Sequence, residues 1–194
     1  MPTTPPPIVL ASASPARLAL LRRAGLDPRV LVSGVDEDAI EEALGPQATP
    51  SEVALALGQA KCRAVAALPE TDGALVIGCD SVLEFEGRPL GKPDTPEEAV
   101  ARWYAMRGRS GVLLTGHWLI DRATGKEAGE VAATTVHFGD PSDEEILAGL
   151  LAGAFVERLE GDHSNVIGLS NPLLRKLMAE VGLNFTAYWG SAAE

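Results

Sequence analysis

The chain has 194 residues, of which 46% are apolar and 22% are charged, and this balance predicts one folded domain over residues 1–194. A multidomain or disordered protein is excluded, although we expect the Pro-rich residues 1–7 to form a flexible extension. The 27 acidic and 16 basic side chains give a formal net charge of −11, which argues against binding to nucleic acid or to anionic lipid.

The cysteines and the apolar runs indicate the compartment. Cys62 and Cys79 lack CxxC spacing, and a chain of this length folds without disulfides, so we expect reduced thiols. The first residues do not resemble a secretory signal, and the apolar run at 146–156 is shorter than the roughly 20 residues that cross a bilayer. We therefore expect a cytoplasmic protein that does not contact membranes.

The first half of the chain alternates strand-like and helix-like segments. Residues 8–11 form an apolar run typical of a buried strand, and residues 16–24 carry apolar side chains at helical spacing. Ser14 is in position to cap that helix. After a strand-like stretch at 30–32, an Ala-rich helix is expected from residue 50 or 51 to about 68.

The second half adds antiparallel strands. Residues 74–77 predict a second buried strand, Gly87 marks a hairpin, and residues 111–121 and 130–138 predict an antiparallel pair. Further helices are expected from residue 95, after residue 142 and over residues 172–181. The interleaved strands and helices predict the α/β class with an antiparallel component.

A small-residue turn between the first strand and the first helix is the first candidate site. Ser12, Ser14 and Arg17 surround the expected helix start, where free backbone N–H groups and the helix dipole favour an anion. Residues 1–26 hold three arginines and no acid, in contrast to the acidic whole. The alternative is an ordinary capped helix, and the turn lacks the GxxxxGK[ST] pattern of a P-loop.

Two groups of charged residues form the second candidate site. Asp80 is expected to end the apolar strand at 74–77, at the sheet edge where α/β folds place ligands. Lys92 follows the hairpin and could reach a phosphate. Residues 36–42 include five carboxylates, one of which could hold a metal ion. The alternatives are a loop-capping Asp, a solvated Lys and an acidic helix start.

The three histidines do not indicate a zinc site or a general base. Residues 159–169 read as a polar loop that contains His163, while His117 and His137 stand alone in the sequence. None has a partner at metal-ligand spacing, and none is a strong general-base candidate.

Six short motifs, in order, resemble those of the Maf family of septum-formation-inhibitor-like nucleoside triphosphate pyrophosphatases. In the first half of the chain, residues 10–17 are similar to its LASxSPRR, residues 59–61 to a helical xxKA lysine and residues 77–81 to GADT. Further along, residues 91–93 are similar to GKP, and residues 106–111 with 115–116 are similar to LSGRxH…TG. The last match is between residues 165–169 and NVVGL. The resemblance extends over residues 8–183.

This resemblance implies an architecture and a reaction. The fold would be a mixed twisted central sheet flanked by helices, two-lobed with a cleft, as in Maf and ITPase proteins. Water would attack the α–β linkage of a nucleoside triphosphate with Mg²⁺ or Mn²⁺ as cofactor, and the protein would be a homodimer. Asp80 would be the base and, with Glu37, a metal ligand. The substrate would be bound by Ser12, Ser14, Arg17, Lys61, Ser81 and Lys92.

The chain departs from the family in two respects. Ala16 replaces the first of two arginines and Ser81 replaces a Thr, at positions that the family associates with base preference. A stretch resembling YxxxGEPxxxAGAxxxQG, expected near residues 148–149, is missing. Either it is deleted, which would remove part of one wall of the cleft, or a mobile loop is left out of the sequence. Because the sequence matches the family on both sides of this stretch, we expect that a mobile loop is left out of the sequence.

Two other functions compete with pyrophosphate release. A nucleotide-binding regulator of cell division without catalysis is favoured by the missing stretch. A haloacid-dehalogenase-like phosphatase is disfavoured, because it needs a second Asp two residues after the nucleophile, and position 82 is Val.

Overall fold

The computed structural model describes residues 4–90, 93, 95–148 and 155–189. Seven strands within these residues form one sheet: β1 Ile8–Leu10, β2 Arg29–Val30, β3 Leu75–Phe85, β4 Arg88–Leu90, β5 Ser110–Asp121, β6 Glu127–Phe138 and β7 Val156–Glu160. The helices are α1 Pro15–Arg23, α2 Glu37–Leu44, α3 Pro50–Ala66, α4 Pro96–Met106, α5 Asp143–Leu147, α6 His163–Ile167 and α7 Asn171–Glu180.

The sheet is mixed, as the sequence predicts. Its strand order is β2-β1-β3-β5-β6-β7, with β4 paired to the far end of β3. Strand β1 is parallel to β2 and β3, whereas β3, β5, β6 and β7 pair antiparallel in succession. The predicted α/β class, a mixed sheet flanked by helices, is therefore confirmed.

Helices cover both faces of the sheet because successive strand residues point to opposite faces. On one face, Ile8 and Leu10 pack with buried residues of α1 and α7. On the other face, Val9 packs with Cys62 and Val65 of α3. Each face thus has its own apolar layer, and the sheet is buried between them.

Helix α3 lies unusually close to the sheet because glycines face it. A Cβ added at Gly116 of β5 would lie 2.1 Å from the Ala54 carbonyl oxygen of α3, and one at Gly78 of β3 would lie 2.3 Å from the Gly58 oxygen. No side chain fits at either position while the helix stays in place. The backbone of α3 therefore rests directly on β3 and β5.

Strand β3 runs further than the sequence indicates. We expected Asp80 to end this strand, but it lies in its middle, paired with Gly116 of β5. The expectation was wrong because β5 pairs with β3 from Leu75 to Glu84 and keeps the chain extended beyond the apolar run. Asp80 instead lies just beyond the level where the parallel neighbour β1 ends, at Leu10 opposite Ile77.

The interpretation of residues 159–169 as a polar loop was also wrong. The stretch holds the end of β7 and the helix α6. Asp162 begins this helix by accepting a hydrogen bond from the backbone N–H of Ser164, at 2.9 Å. Because α6 has only five residues, a polar sequence with turn-forming residues does not distinguish it from a loop.

Two further expectations from the sequence concern the state of the cysteines and the presence of membrane-spanning segments. Cys62 and Cys79 are both free and fully buried. In the part of the chain that the structure describes, no helix has both the length and the apolar character needed to span a bilayer.

Candidate functional site

A cavity of about 820 Å³ opens where β1 ends beside β3. It is bounded by the β1–α1 turn, the start of α2, the middle of α3 and the end of α6. Every predicted site residue that the structure describes lines it, namely Ser12, Ser14, Arg17, Glu37, Lys61, Asp80 and Ser81. Lys92 lies outside the described residues. Their proximity is thus observed, while their roles in catalysis and binding stay predictions.

The β1–α1 turn presents a helix N-terminus to the cavity. Ser14 caps α1, its side chain accepting from the Arg17 backbone N–H at 3.4 Å. Its own N–H donates to the Ser12 hydroxyl at 3.2 Å. Pro15 takes the first helical position, where a missing N–H costs nothing. The turn therefore combines hydroxyl groups with the positive end of a nine-residue helix, as anion sites do.

Arg17 donates hydrogen bonds to three parts of the cavity lining. Its Nε donates to the Gly168 carbonyl at 2.7 Å, Nη1 to the Ser12 hydroxyl at 3.1 Å and Nη2 to the Ser81 hydroxyl at 3.0 Å. Contacts within the described residues thus use three of the five N–H groups of the guanidinium. Arg17 shapes the floor of the cavity and still brings a positive charge and two donors to it.

Lys61 contacts two carboxylates at once. Its Nζ lies 2.6 Å from Asp80 Oδ1 and 2.8 Å from Glu37 Oε1. The side chains of Lys61 and Asp80 are only 11% and 14% exposed, whereas that of Glu37 is 50% exposed. One ammonium and two carboxylates leave this group with a net negative charge.

The pair of carboxylates has the chemistry of a divalent-metal site. Glu37 and Asp80 converge on one cationic position, and Mg²⁺ is usually held by one or two carboxylates together with substrate phosphates and water. Among the residues that the structure describes, no group of three or more His, Cys, Asp or Glu is placed to hold a metal by itself.

A buried polar network under the floor was not predicted from the sequence. Ser81 contacts the Thr115 hydroxyl at 2.9 Å. Asn165 is fully buried and donates to the Leu113 carbonyl at 3.0 Å and to the Thr134 hydroxyl at 3.1 Å. With the Ala132 carbonyl at 3.3 Å, the amide nitrogen has three acceptors. The sequence gives no sign of these contacts, because only the fold brings the strands and α6 together.

His117 lies behind this network and holds the start of α7. Its Nδ1 donates to the Thr115 carbonyl at 2.9 Å, and its Nε2 accepts from the Ser170 backbone N–H at 2.8 Å. Burial lowers the pKa of His117 to about 4, and the charge of Arg17 acts in the same direction. The residue is therefore a neutral structural element in the ordinary pH range.

Curated proteins that are similar to this chain carry one description. A protein of Streptomyces coelicolor is 51% identical over 210 positions, covering 98% of this chain and all of that protein, and is named nucleoside triphosphate pyrophosphatase. A protein of Streptomyces avermitilis with the same name is 52% identical over 198 positions and 94% of each chain. A third, from Rhodococcus jostii, is 47% identical over 95% of this chain and 96% of that protein, again with this name.

These alignments correct the expectation of an omitted loop. Since 98% of 194 residues is about 190, an alignment of 210 positions leaves about 20 at which the Streptomyces coelicolor protein has a residue and this chain has none. The full sequence of this chain has 194 residues. Relative to this protein, about 20 residues are therefore absent from the chain, and the matching flanks were not evidence of an omitted loop.

The family assignment rests on most of the chain. The model of the family described as Maf-like protein matches residues 7–150 and ends beside the place where the expected stretch is missing. The solved structure of a HAM1 protein from Coxiella burnetii aligns with a TM-score of 0.43 and 18% identity, over 69% of this chain and 73% of that one. With a family model over about three quarters of its length and relatives near 50% identity, the chain belongs to the Maf family.

Proposed function

We propose that this protein hydrolyses nucleoside triphosphates to the monophosphate and pyrophosphate. The observation that carries the proposal is the convergence, in one cavity, of the anion-binding β1–α1 turn with Lys61 and the Asp80 carboxylate. The volume of about 820 Å³ lies within the range of ordinary small-molecule sites. The names of the relatives support the same activity.

The site residues have two roles, phosphate binding and proton transfer. The β1–α1 turn with Ser12 and Ser14, together with Arg17, Lys61, Ser81 and Lys92, binds the phosphate groups and orients the β- and γ-phosphates, which leave as pyrophosphate. The Asp80 carboxylate accepts a proton from the attacking water. A bond forms between the water oxygen and the α-phosphorus, and the bond to the α–β bridging oxygen breaks in line with it.

Glu37 and Asp80 are the residues that would hold the divalent metal. When bound, such an ion supplies positive charge to the phosphate oxygens. Glu37 lies on α2 and Asp80 on β3, so the two ligands come from different elements that line the cavity.

Product analysis tests the proposal directly. The purified protein is incubated with each ribo- and deoxyribonucleoside triphosphate, with Mg²⁺ or Mn²⁺, in ¹⁸O-labelled water. We expect intact pyrophosphate, no orthophosphate, and the label in the monophosphate, because the attack is at the α-phosphorus. Nucleoside diphosphate with labelled orthophosphate would contradict it and favour a phosphatase.

The same experiment addresses a second candidate. The deletion of about 20 residues, relative to proteins named as enzymes, favours a nucleotide-binding regulator of cell division that has no turnover. Binding of a triphosphate without any release of pyrophosphate would support the regulator. Turnover would contradict the regulator without catalysis, and we propose that the enzyme then clears nucleotides that have non-standard bases or are present in excess.

A further inference from the structure

The contacts of Lys61 raise a question about how the site receives a metal ion. The ammonium is within 2.8 Å of both Glu37 and Asp80, the two carboxylates that would hold the metal. The ammonium is itself a cation, and it contacts carboxylate oxygens that a metal ion would also need. In the structure, therefore, the candidate metal ligands already have a positively charged partner.

The surroundings of Lys61 keep this partner in place. Its side chain extends from α3, which rests directly on the sheet, and is 11% exposed. The Asp80 carboxylate is on the central strand β3 and is 14% exposed, so salt screens its contact with Lys61 only weakly. A second cation at these oxygens would face the ammonium at close range, where like charges repel strongly.

A triphosphate changes this balance because it offers the ammonium another partner. The β1–α1 turn, which favours an anion, lines the same cavity as Lys61. A lysine side chain is long and flexible and binds phosphate as a point charge. Once its ammonium turns to the phosphates, the Glu37 and Asp80 oxygens become available to a divalent ion.

We propose that Lys61 is a built-in counter-cation which excludes divalent metal from the free protein, so that metal and triphosphate bind together. This inference rests on the proposed function, since the triphosphate is the ligand that draws Lys61 away. It gives Lys61 a role before catalysis, in addition to phosphate binding. Without nucleotide, the protein then has low affinity for the metal.

Binding of Mn²⁺ to the full chain without nucleotide tests the inference, with free Mn²⁺ measured by electron paramagnetic resonance. We expect Lys61→Gln to bind Mn²⁺ at least about tenfold more tightly than the wild type, because a positive charge next to the ligands is removed. Lys61→Arg keeps the charge and should bind as weakly as the wild type. The matched control is Lys176→Gln, which removes a charge that pairs with Glu130 and Glu180 outside the cavity.

Two further variants make the result decisive. In Lys61→Gln combined with Asp80→Asn the gain in Mn²⁺ affinity should disappear, which assigns it to this site. Lys61→Met retains the apolar stem and replaces Lys61→Gln if that variant does not fold. Equal Mn²⁺ affinity in the Lys61 and Lys176 variants, or a gain that survives Asp80→Asn, would overturn the inference.

This outcome is independent of the test of the proposed function. If the wild type releases pyrophosphate and Lys61→Gln gains no Mn²⁺ affinity, the activity stands and the role of Lys61 as counter-cation falls. If Lys61→Gln gains affinity and the wild type has no turnover, the counter-cation stands and the proposed activity falls.

Discussion

The Asp80 side chain combines limited exposure with access to the cavity. It is 14% exposed, lines the cavity and contacts Lys61 at 2.6 Å, while Lys61 also contacts Glu37. A carboxylate on a central strand has little freedom to move. Its position relative to a bound phosphate is therefore set by the sheet rather than by a loop.

Asp80→Asn should remove the proton acceptor while preserving the shape of the site. We expect kcat for pyrophosphate release to fall by about 10² to 10⁴, the usual contribution of a general base. Thermal melting checks that the variant is folded. Asp27→Asn, at a side chain that is 88% exposed, is the matched control and should retain wild-type kcat. A wild-type kcat in Asp80→Asn would contradict the assignment.

His117 makes the stability of the fold depend on pH. Its pKa is lowered to about 4 in the folded protein, against about 6.5 in an unfolded chain, so between these values the unfolded state binds the additional proton. The contribution of neutral His117 is complete above about pH 6.5 and is lost as the pH falls toward 4. The largest slope is about 1.4 kcal/mol per pH unit.

We expect this slope to disappear in His117→Gln. Urea unfolding of the wild type and the variant between pH 7.5 and pH 4 should show their difference in free energy of unfolding shrinking as the pH falls. His163, whose side chain is 82% exposed, provides the control His163→Gln, with a curve parallel to that of the wild type. A constant difference between wild type and His117→Gln would refute the prediction.

At the scale of elements, the contact between α3 and the sheet determines where Lys61 lies. A Cβ at Gly116 would come within 2.1 Å of the Ala54 backbone, so Gly116→Ala must push α3 outward. We expect a loss of about 1 to 3 kcal/mol in the free energy of unfolding, the usual cost of overpacking, together with weaker nucleotide binding.

Gly139→Ala is the matched control for this substitution. The nearest atom to its added Cβ is the end of the Glu157 side chain, at 3.3 Å, which is free to adjust. Urea unfolding and nucleotide titration compare the two variants. Gly116→Ala with wild-type stability and affinity would mean that α3 does not need this close approach.

Local patterns explain which elements could be predicted from the sequence. The cap at Ser14, the hairpin at Gly87 and the pair β5–β6 are encoded by neighbouring residues, and all three are confirmed. The extension of β3 through Asp80 depends on pairing with a distant strand, which leaves no local signal. For the same reason the contact between Arg17 and Gly168, 151 positions apart, could not be predicted.

At the scale of the whole molecule, the site is assembled from parts of the chain that are far apart in sequence. Its residues come from the β1–α1 turn, α2, α3, β3 and the end of α6, between Ser12 and Gly168. The molecule carries a net charge of −11, yet Arg17 and Lys61 each place a positive charge at the cavity. We expect these two charges to favour a free nucleotide at the cavity, while the acidic whole disfavours a long polyanion.

The burial of the two thiols has a consequence for oxidative damage. Cys62 follows Lys61 and Cys79 precedes Asp80, so each adjoins a site residue in the chain, yet both face the apolar layers and not the cavity. Burial raises the pKa of the Cys62 thiol well above its ordinary value and that of Cys79 to about 12. Because peroxide reacts with accessible thiolate, both sulfurs are protected as long as the fold is intact. Oxidant stress, which damages cellular nucleotides, would leave this chain unmodified at both cysteines.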